Sequence, residues 1–253
     1  MSGDAASAGG RLWVGTSGWV YPDWRGVFYP SSVKSADYLR FYSSRFHTTE
    51  INYSFYHVPK PETFAKWASQ VPETFRFAVK VHRSITHERR LRDISDRWCD
   101  FRGGARELGK KLGVFLLQLP PSFRCQPKLL RAFLEKCRDM EEDCPARMAI
   151  EFRHASWFVP EIRALLEQHN ASMVIASSSR YPQAPLNPTA SFVYLRFHGP
   201  NELFASSYND EELKYWAARI RHWRSENLDV YAYFNNDFAA AAIANATRLL
   251  ELV

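Results

Sequence analysis

The sequence has little cysteine and lacks the cysteine and histidine spacings that mark metal-binding or disulfide-rich proteins. Its four cysteines, Cys99, Cys125, Cys137 and Cys144, form no CxxC pair, and neither an HxH nor an HExxH motif occurs. The thiols are therefore expected to be reduced and mostly buried in a cytoplasmic protein. A cluster held by the three cysteines from Cys125 to Cys144 is the alternative.

The chain also lacks any apolar run of about 20 residues, the length that a transmembrane helix needs. Its start, MSGDAASAGGR, is small and polar and has no apolar core like that of a secretion signal. We therefore interpret residues 1–11 as a disordered tail. Residues 12–253 are interpreted as one domain, because no Ser-, Gly- or Pro-rich linker divides them. A membrane partner is not expected.

Acidic residues are fewer than basic ones, with 27 Asp and Glu against 33 Lys and Arg and a net charge of +6. This balance favours an anionic partner, either a small molecule or a nucleic acid. The two most basic stretches, HERRLR at 87–92 and RIRHWR at 219–224, fit a solvated loop and a helix face better than a nucleic-acid groove.

Short apolar runs, in contrast, are abundant. Eight runs rich in Val, Ile, Phe and Tyr are typical of strands, and they cover residues 12–17, 48–54, 76–82, 113–119, 147–153, 172–178, 192–198 and 229–235. Most gaps between them have apolar residues at helical spacing, most clearly at 35–46, 60–71, 163–170, 209–226 and 237–252. Eight alternating units predict an α/β protein, a single TIM-type (β/α)8 barrel. The sixth unit is expected to be irregular, because SSSRYPQAPLNPTA at 177–190 resembles a loop.

Polar residues collect at the ends of six of these runs. Alternate residues of a strand share a face, so Glu151 and Arg153 point the same way, opposite Ile150 and Phe152. The helix-facing side of a barrel strand is apolar, so the polar side faces the lumen, at the end where barrel enzymes have their sites. The same reasoning places these side chains in the barrel mouth: Glu50, Asn52, Lys80, His82, Gln118, Arg196, His198, Tyr233 and Asn235. His154, if the chain turns there, and Asn236, in the loop after the eighth run, complete the set.

A purely structural ion-pair network is the alternative interpretation of these polar residues. Burying polar groups from six strands at one end costs more free energy than the aliphatic filling that they displace. The pattern therefore favours a binding site in the mouth of the barrel.

Seven segments follow one another in a distinctive order from about Leu12 to Val253: GTSGWVYPDWRGVFYP, TTEINYSFYHVPKPETFAKWA, FRFAVKVHRSITHERRL, LLQLPPSF, EFRHASW, YLRFHGP and VYAYFNND. Their order and spacing resemble the signature blocks of the YecE-like family, catalogued as domain of unknown function 72. The resemblance implies a single TIM-type barrel and supplies no established activity. Many members of that family carry an Asp at the end of the sixth strand, where this chain has VIASSSRYP. A site built around that carboxylate would be altered here.

The predicted mouth suits an anion better than a metal ion. Three cationic side chains beside only two carboxylates are unfavourable for a divalent cation, whereas arginine, lysine and histidine hold phosphate or carboxylate well. No metal or cofactor is therefore predicted. The alternative, a divalent metal, would draw its ligands from Glu50, Glu151, His82, His87, His154 and His198.

The reaction stays open at this point. Glu151 is the candidate general acid or base, with Lys80 or His198 as its partner. Glu50 and Glu151 could instead be the two carboxylates of a glycosidase, and Lys80 could form a Schiff base. The other polar residues of the mouth, Arg153 and Arg196 among them, are expected to bind the substrate.

We expect an enzyme, a hydrolase or a lyase, that uses general acid/base chemistry on an anionic substrate, either phosphate-bearing or derived from nucleic acid. The first alternative is a non-catalytic barrel that binds nucleic acid or another anion. A nucleic-acid binder would lose affinity steeply as salt rises. The second alternative is a metal-dependent phosphodiesterase or an enzyme similar to the sugar isomerases.

Overall fold

Strands and helices alternate along the parts of the chain that the computed structural model describes, residues 9–138 and 147–253. The strands are β1 Leu12–Thr16, β2 Thr48–Ile51, β3 Arg76–Lys80, β4 Leu112–Gln118, β5 Arg147–Glu151, β6 Ser172–Met173, β7 Ile175–Ser177, β8 Phe192–Phe197 and β9 Asp229–Phe234. The α-helices are α1 Tyr38–Ser43, α2 Tyr53–Tyr56, α3 Pro61–Ser69, α4 Ser95–Ala105, α5 Pro127–Arg138, α6 Pro160–Gln168, α7 Asp210–Ser225 and α8 Ala241–Leu252. Shorter turns are a π-helix at Ser84–Glu88 and 3-10 helices at Pro22–Trp24, Ser35–Asp37, Arg106–Lys111, Ala155–Trp157 and Phe238–Ala240.

The strands pair in parallel as two sheets, in the orders β1-β9-β8-β7 and β2-β3-β4-β5-β6. One seam between the sheets lies in the sixth strand position, where β6 pairs with β5 and β7 pairs with β8. Val174, between β6 and β7, donates its N–H to the carbonyl of Ile150 (2.9 Å). At the other seam, Ser17 and Glu50 bridge the ends of β1 and β2. The sheets therefore close into an eight-position barrel, and the predicted TIM-type fold is confirmed.

Two apolar layers follow from the alternation of each strand. Side chains such as Val79, Leu117 and Ile150 belong to the core between strands and helices. Their neighbours fill the lumen, where Trp13 and Tyr231 stack with ring centres 4.5 Å apart. Burying one large apolar side chain contributes about 1.5–3 kcal/mol, so this filled lumen stabilises the barrel.

Three helices differ from the prediction, and one of them, α6, begins at Pro160 rather than at residue 163 and ends at Gln168 rather than at residue 170. The first helix was expected over residues 35–46, but only Tyr38–Ser43 is α-helical and a 3-10 turn precedes it. The last helix was expected from residue 237, but Ala239 and Ala240 have left-handed φ angles of 53° and 60°, so α8 begins at Ala241. Residues 178–191 contain no helix, which confirms the irregular sixth unit.

The predicted tail is described only at its end. Gly10 donates its N–H to the carbonyl of Arg224, and Arg11 donates its N–H to Asp229 (both 2.8 Å), so residues 10 and 11 pack on the barrel. Residues 1–8 lie outside the described residues. Within the described ranges, no helix has the length and the apolar composition that crossing a membrane requires.

The cysteines are more exposed than the sequence suggested. Cys99, Cys125 and Cys137 are half-buried rather than buried. Cys144 lies outside the described residues, and with it the alternative of a cluster spanning Cys125 to Cys144.

Candidate active site

The lumen changes from apolar to polar at the C-terminal ends of the strands. Five residues of the predicted set meet in this polar layer, one from each of five strands, and all are less than 9% exposed: Glu50, Lys80, Gln118, Glu151 and Arg196. The alternation of each strand puts them there, because their chain neighbours belong to the core against the helices.

Arg196, on β8, is the centre of the polar layer. Its Nε and Nη2 donate to the two carboxylate oxygens of Glu50, at 3.0 and 2.7 Å. Its Nη1 donates to Oε2 of Glu151 and, at 3.3 Å, to Oε1 of Gln118. One guanidinium group therefore reaches side chains of β2, β4 and β5 across the lumen.

The two carboxylates of the layer are fully engaged. Glu50 also accepts hydrogen bonds from the hydroxyls of Ser17 and Tyr194, each at 2.7 Å. Burial alone would raise the pKa of Glu50, but the Arg196 charge and these hydrogen bonds lower it below its usual value. Glu50 therefore stays ionised and is a poor proton acceptor.

The carboxylate of Glu151 is likewise held by several hydrogen-bond donors. Besides Arg196, its Oε1 accepts from Nε of Arg153 (2.8 Å) and from Nε2 of His198 (3.2 Å). Burial opposes ionisation, but the charges of Arg153 and Arg196 and the contact with His198 hold the pKa of Glu151 well below its usual range. The geometry thus disfavours the predicted roles of Glu50 and Glu151 as general acid or base and suits them to holding guanidinium groups in place.

His198 has a defined tautomer. The Asn235 amide donates to its Nδ1 (3.1 Å), so the ring proton is on Nε2, which donates to Glu151. Burial lowers the pKa of His198 to about 4, although the Glu151 carboxylate opposes the shift. His198 is therefore neutral near pH 7 and orients Glu151 rather than supplying positive charge.

Lys80 differs from the other charged residues of the polar layer. Its ammonium contacts no carboxylate in the described chain; Nζ lies 4.1 Å from the ring centre of Phe55, in cation–π contact. Burial, and secondarily the nearby Arg196 charge, lower the pKa of Lys80 to about 7. Both protonation states of Lys80 are therefore populated at neutral pH.

A cavity of about 730 Å³ opens above the polar layer, and we call it the mouth cavity. Five predicted residues are on its wall: Asn52, Lys80, Gln118, Arg153 and Asn235. Arg153 lies over the ring of Tyr181, 4.1 Å from its centre. The buried Oδ1 atom of Asn52 has no hydrogen-bond partner among the described residues.

The rest of the cavity wall comes mainly from loops: Tyr21, Asp23, Phe55, Tyr56, Arg83, His87, Tyr181, Phe204, Asp237 and Phe238. Sequence reasoning considered His87 only as a ligand in the alternative of a metal site, and it did not assign the other residues of this list to the mouth. Asp237 accepts a hydrogen bond from Nε1 of Trp24 (2.8 Å). Burial raises the pKa of Asp237 to about 7, with a contribution from Asp23. The signal that could have found it is its place directly after the polar end of β9.

Four predicted residues serve the fold instead of the mouth cavity. His82 and His154 each accept, on Nδ1, the backbone N–H of the serine two residues later (3.2 Å) and so cap a helical turn. Tyr233 lies deeper in the lumen and hydrogen-bonds Thr48 (2.6 Å). The Asn236 amide donates to the Ser206 carbonyl (3.0 Å) and to Asn245 (2.8 Å), tying loop to helix.

The donor groups do not fit the alternative of a metal site. In the described ranges, no three His, Cys, Asp or Glu side chains converge in a way that could hold a metal ion. Arg196 is bonded to both Glu50 and Glu151, and His82 and His154 use Nδ1 for their caps. A cation between the carboxylates would have to displace the guanidinium.

Comparison with known proteins decides the family. The model of a family described as "Protein of unknown function DUF72" matches residues 13–253. The chain belongs to the DUF72 family. The UPF0759 protein YunF of Bacillus subtilis (strain 168) is 28% identical over an alignment of 272 positions that covers 96% of this chain and 94% of YunF. The predicted YecE-like membership is therefore confirmed.

Solved structures agree. A DUF72 family protein from Thermotoga maritima MSB8 superposes with a TM-score of 0.81 at 29% identity, covering 96% of this chain and 98% of its own. A D-psicose 3-epimerase has a TM-score of 0.54 at 8% identity, covering 87% of this chain and 92% of its own, and this likeness concerns the fold alone.

In this DUF72 barrel, the sixth strand position ends in Ser177, and Ser178 follows it. The hydroxyl of Ser177 accepts a hydrogen bond from Tyr208 (2.9 Å). The hydroxyl of Ser178 accepts the backbone N–H groups of Arg180 and Tyr181 (both 3.2 Å). The resulting turn holds the Tyr181 ring against the Arg153 guanidinium.

Proposed function

We propose that this DUF72 protein is an enzyme that binds an anionic small molecule in the mouth cavity and uses Lys80 to transfer a proton. The polar layer beneath the cavity would hold Lys80 and Arg153 in position. Glu50, Glu151 and His198 would then be positioning residues rather than catalytic ones.

The observation that carries the proposal is the charge balance of the buried polar layer. Glu50 pairs with Arg196, and Glu151 pairs with Arg153 and Arg196. Two carboxylates thus face two guanidinium groups, and the Lys80 ammonium is left with no carboxylate in the described chain. An unpaired buried charge is costly, so Lys80 either releases its proton or gains a partner when an anion enters.

Proton transfer follows from this balance. A general acid or base works best when its pKa is near the operating pH, and the pKa of Lys80 is about 7. An anion beside Nζ would raise the pKa of Lys80 and favour its ammonium form. Binding of the anion would therefore place on Lys80 the proton that the reaction uses. Removing a general acid or base typically lowers the rate about 10²- to 10⁴-fold.

The size of the mouth cavity favours a small molecule over a nucleic acid duplex. Ligand pockets are typically about 300–1,000 Å³, and this cavity has about 730 Å³. The groups on its wall are few and specific, including the Lys80 ammonium, the Arg153 guanidinium and the amides of Asn52, Gln118 and Asn235.

Isothermal titration calorimetry tests the binding step. Inorganic phosphate and a panel of phosphorylated and carboxylated metabolites are titrated near neutral pH, in two buffers with different ionisation enthalpies. The difference in heat gives the protons taken up. Wild type should bind a member of the panel with proton uptake, and Lys80→Met should bind more weakly without it. Lys66→Met, on the exposed face of α3, should behave as wild type.

Turnover is then followed by mass spectrometry on the ligands that bind. Conversion by wild type and a loss of at least about 100-fold in Lys80→Met would support the proposal. Undiminished turnover or unchanged proton uptake in Lys80→Met would overturn it. Binding confined to nucleic acid, with affinity falling steeply with salt, would replace it by the non-catalytic binding barrel.

A further inference from the structure

Three aromatic side chains stand exposed on the wall of the mouth cavity: Tyr56, Phe204 and Phe238. They are 60%, 40% and 68% exposed, respectively. Single exposed aromatics are common on protein surfaces, but a cluster beside a cavity marks a binding surface. We call these three residues the aromatic rim.

The backbone is in an unfavourable conformation at one rim residue, Phe204, and directly after another, Phe238. Phe204 has a φ of 64°, in the left-handed region that bulky residues rarely adopt. Its N–H donates to the carbonyl of His198 (2.6 Å), and its own carbonyl accepts the N–H of Phe238 (3.4 Å). Phe238 is followed by the left-handed residues Ala239 and Ala240. Such strain persists where the surrounding structure imposes it, and it is concentrated at functional sites.

This backbone leaves the Phe238 ring mostly exposed and the Phe204 ring partly exposed, although Phe204 also packs edge-on against His198. Phe204 and Phe238 come from neighbouring loops, after β8 and β9, and the hydrogen bond between them fixes the loops relative to each other. Burial of apolar surface does not explain this backbone conformation, because the side chain of Phe238 is 68% exposed. A ligand that covers the two rings would explain it.

The third rim residue, Tyr56, connects the rim with the Lys80 ammonium. Tyr56 packs edge-on against Phe55, with ring centres 5.0 Å apart and planes at 89°. Phe55 in turn carries the Lys80 ammonium on its ring, at 4.1 Å. Asn52 lies on the same wall.

We infer that the anion recognised in the mouth cavity carries a ring, and that the aromatic rim binds the face of that ring while Lys80 and Arg153 hold the charge. The ligand class is a phosphate or carboxylate joined to a nucleobase or a sugar ring. This inference rests on the proposed function for its charged half and on the rim alone for its apolar half.

The test compares four probes by calorimetry: inorganic phosphate, ribose 5-phosphate, adenosine monophosphate and adenosine. At least one ring-bearing phosphate should bind about tenfold more tightly than inorganic phosphate. Stacking of a base on an aromatic side chain is worth about 1–3 kcal/mol, so Phe238→Ala and Tyr56→Ala should weaken the ring-bearing phosphate about 5- to 150-fold. They should leave the affinity for inorganic phosphate unchanged. Preference for adenosine monophosphate identifies a base, and equal binding of ribose 5-phosphate identifies the sugar.

Two controls separate the rim from the anion site. Tyr215→Ala removes an aromatic side chain that is 46% exposed on α7, outside the cavity wall, and should bind every probe as wild type. Lys80→Met should weaken all phosphates but not adenosine. If wild type bound adenosine but none of the phosphates, and Phe238→Ala lost the binding of adenosine, the rim would be supported as a ring-binding surface and the anion site would be refuted. Rim variants that bind every ring-bearing probe as wild type does would refute the inference itself.

Discussion

Glu151→Gln tests whether the polar layer holds the barrel together. Glu151 accepts hydrogen bonds from Arg153, Arg196 and His198. Glutamine has the same length, but its amide nitrogen is a donor and would face at least one of these donors in either orientation. The substitution also removes a negative charge from a layer that already carries one unpaired positive charge.

The expected cost follows from burial. The Glu151 side chain is 1% exposed and Arg153 9%. Removing one partner of a buried ion pair typically costs about 3–5 kcal/mol. We expect the lower half of that range, because Arg196 keeps both of its bonds to Glu50. For a chain of about 250 residues, each kcal/mol lowers the Tm by about 2–4 °C, so the variant should melt about 10 °C below wild type.

Differential scanning calorimetry at neutral pH measures this change, with Glu167→Gln as the matched control. Glu167 pairs with Arg163 on the surface of α6, where the two side chains are 47% and 36% exposed. Such exposed pairs contribute at most about 1 kcal/mol, so the control should melt close to wild type. The double variant Glu151→Gln/Arg153→Met should regain part of the loss, because the stranded guanidinium is also gone.

A Glu151→Gln variant that melts within about 2 °C of wild type would refute this reasoning, since so small a shift corresponds to about 1 kcal/mol or less. If such a variant had also lost turnover, Glu151 would return to the candidate list as a catalytic carboxylate.

Three further predictions concern titratable groups. The pKa of His198 is about 4 in the folded protein and about 6.5 in the unfolded chain, so stability should fall by about 2 kcal/mol between pH 7 and about pH 5; urea unfolding should show a shallower pH dependence in His198→Gln. Lys80 should react with an anionic aldehyde and borohydride at neutral pH before exposed lysines such as Lys66, because it is partly deprotonated, and peptide mapping that finds uniform labelling would contradict this. Asp237 has its pKa raised to about 7, so folding keeps its proton and stability is lost as pH rises from about 4 to about 7. Asp237→Asn should therefore melt above wild type at pH 7 and equally with it near pH 4, and equal melting at both pH values would speak against a protonated Asp237.

The sequence predicted the fold, and it predicted the residues of the polar layer that lie within the strands. The prediction failed for residues that lie beyond the ends of the strands. The pleat fixes alternate faces, so Glu50, Lys80, Glu151 and Arg196 follow directly from the alternation. His82 lies beyond the last residue of β3, outside the range of that rule, and its ring instead caps the turn at Ser84. A histidine two residues before a serine at a strand end is a signal for this cap, and it recurs at 154–156.

The loops that complete the mouth cavity carry no comparable signal. Phe204 and Phe238 are exposed apolar residues, and nothing in their spacing distinguishes them from buried ones. Asp237 directly follows the polar end of β9, but its contact with Trp24, a residue more than 200 positions away in the chain, exists only in the folded barrel. Long-range contacts of this kind depend on closure of the barrel, which no local pattern encodes.

The division of the barrel into two sheets gives the polar layer a second consequence. Apart from Arg153, which lies just beyond β5, its donors come from one sheet or the segments that extend it, and its acceptors come from the other. The donors are Ser17, Tyr194, Arg196 and His198, and the acceptors are Glu50, Gln118 and Glu151. Formed alone, the half that contains β2–β6 would leave the Glu50 carboxylate without the Arg196 guanidinium, and the other half would leave Arg196 without Glu50 and Glu151. The halves should therefore unfold as a single cooperative unit, and a variant such as Arg196→Leu should let β2–β6 and β7–β1 exchange their amide protons at separate rates. The same guanidinium that organises the site thus determines whether the chain behaves as one folding unit or as two.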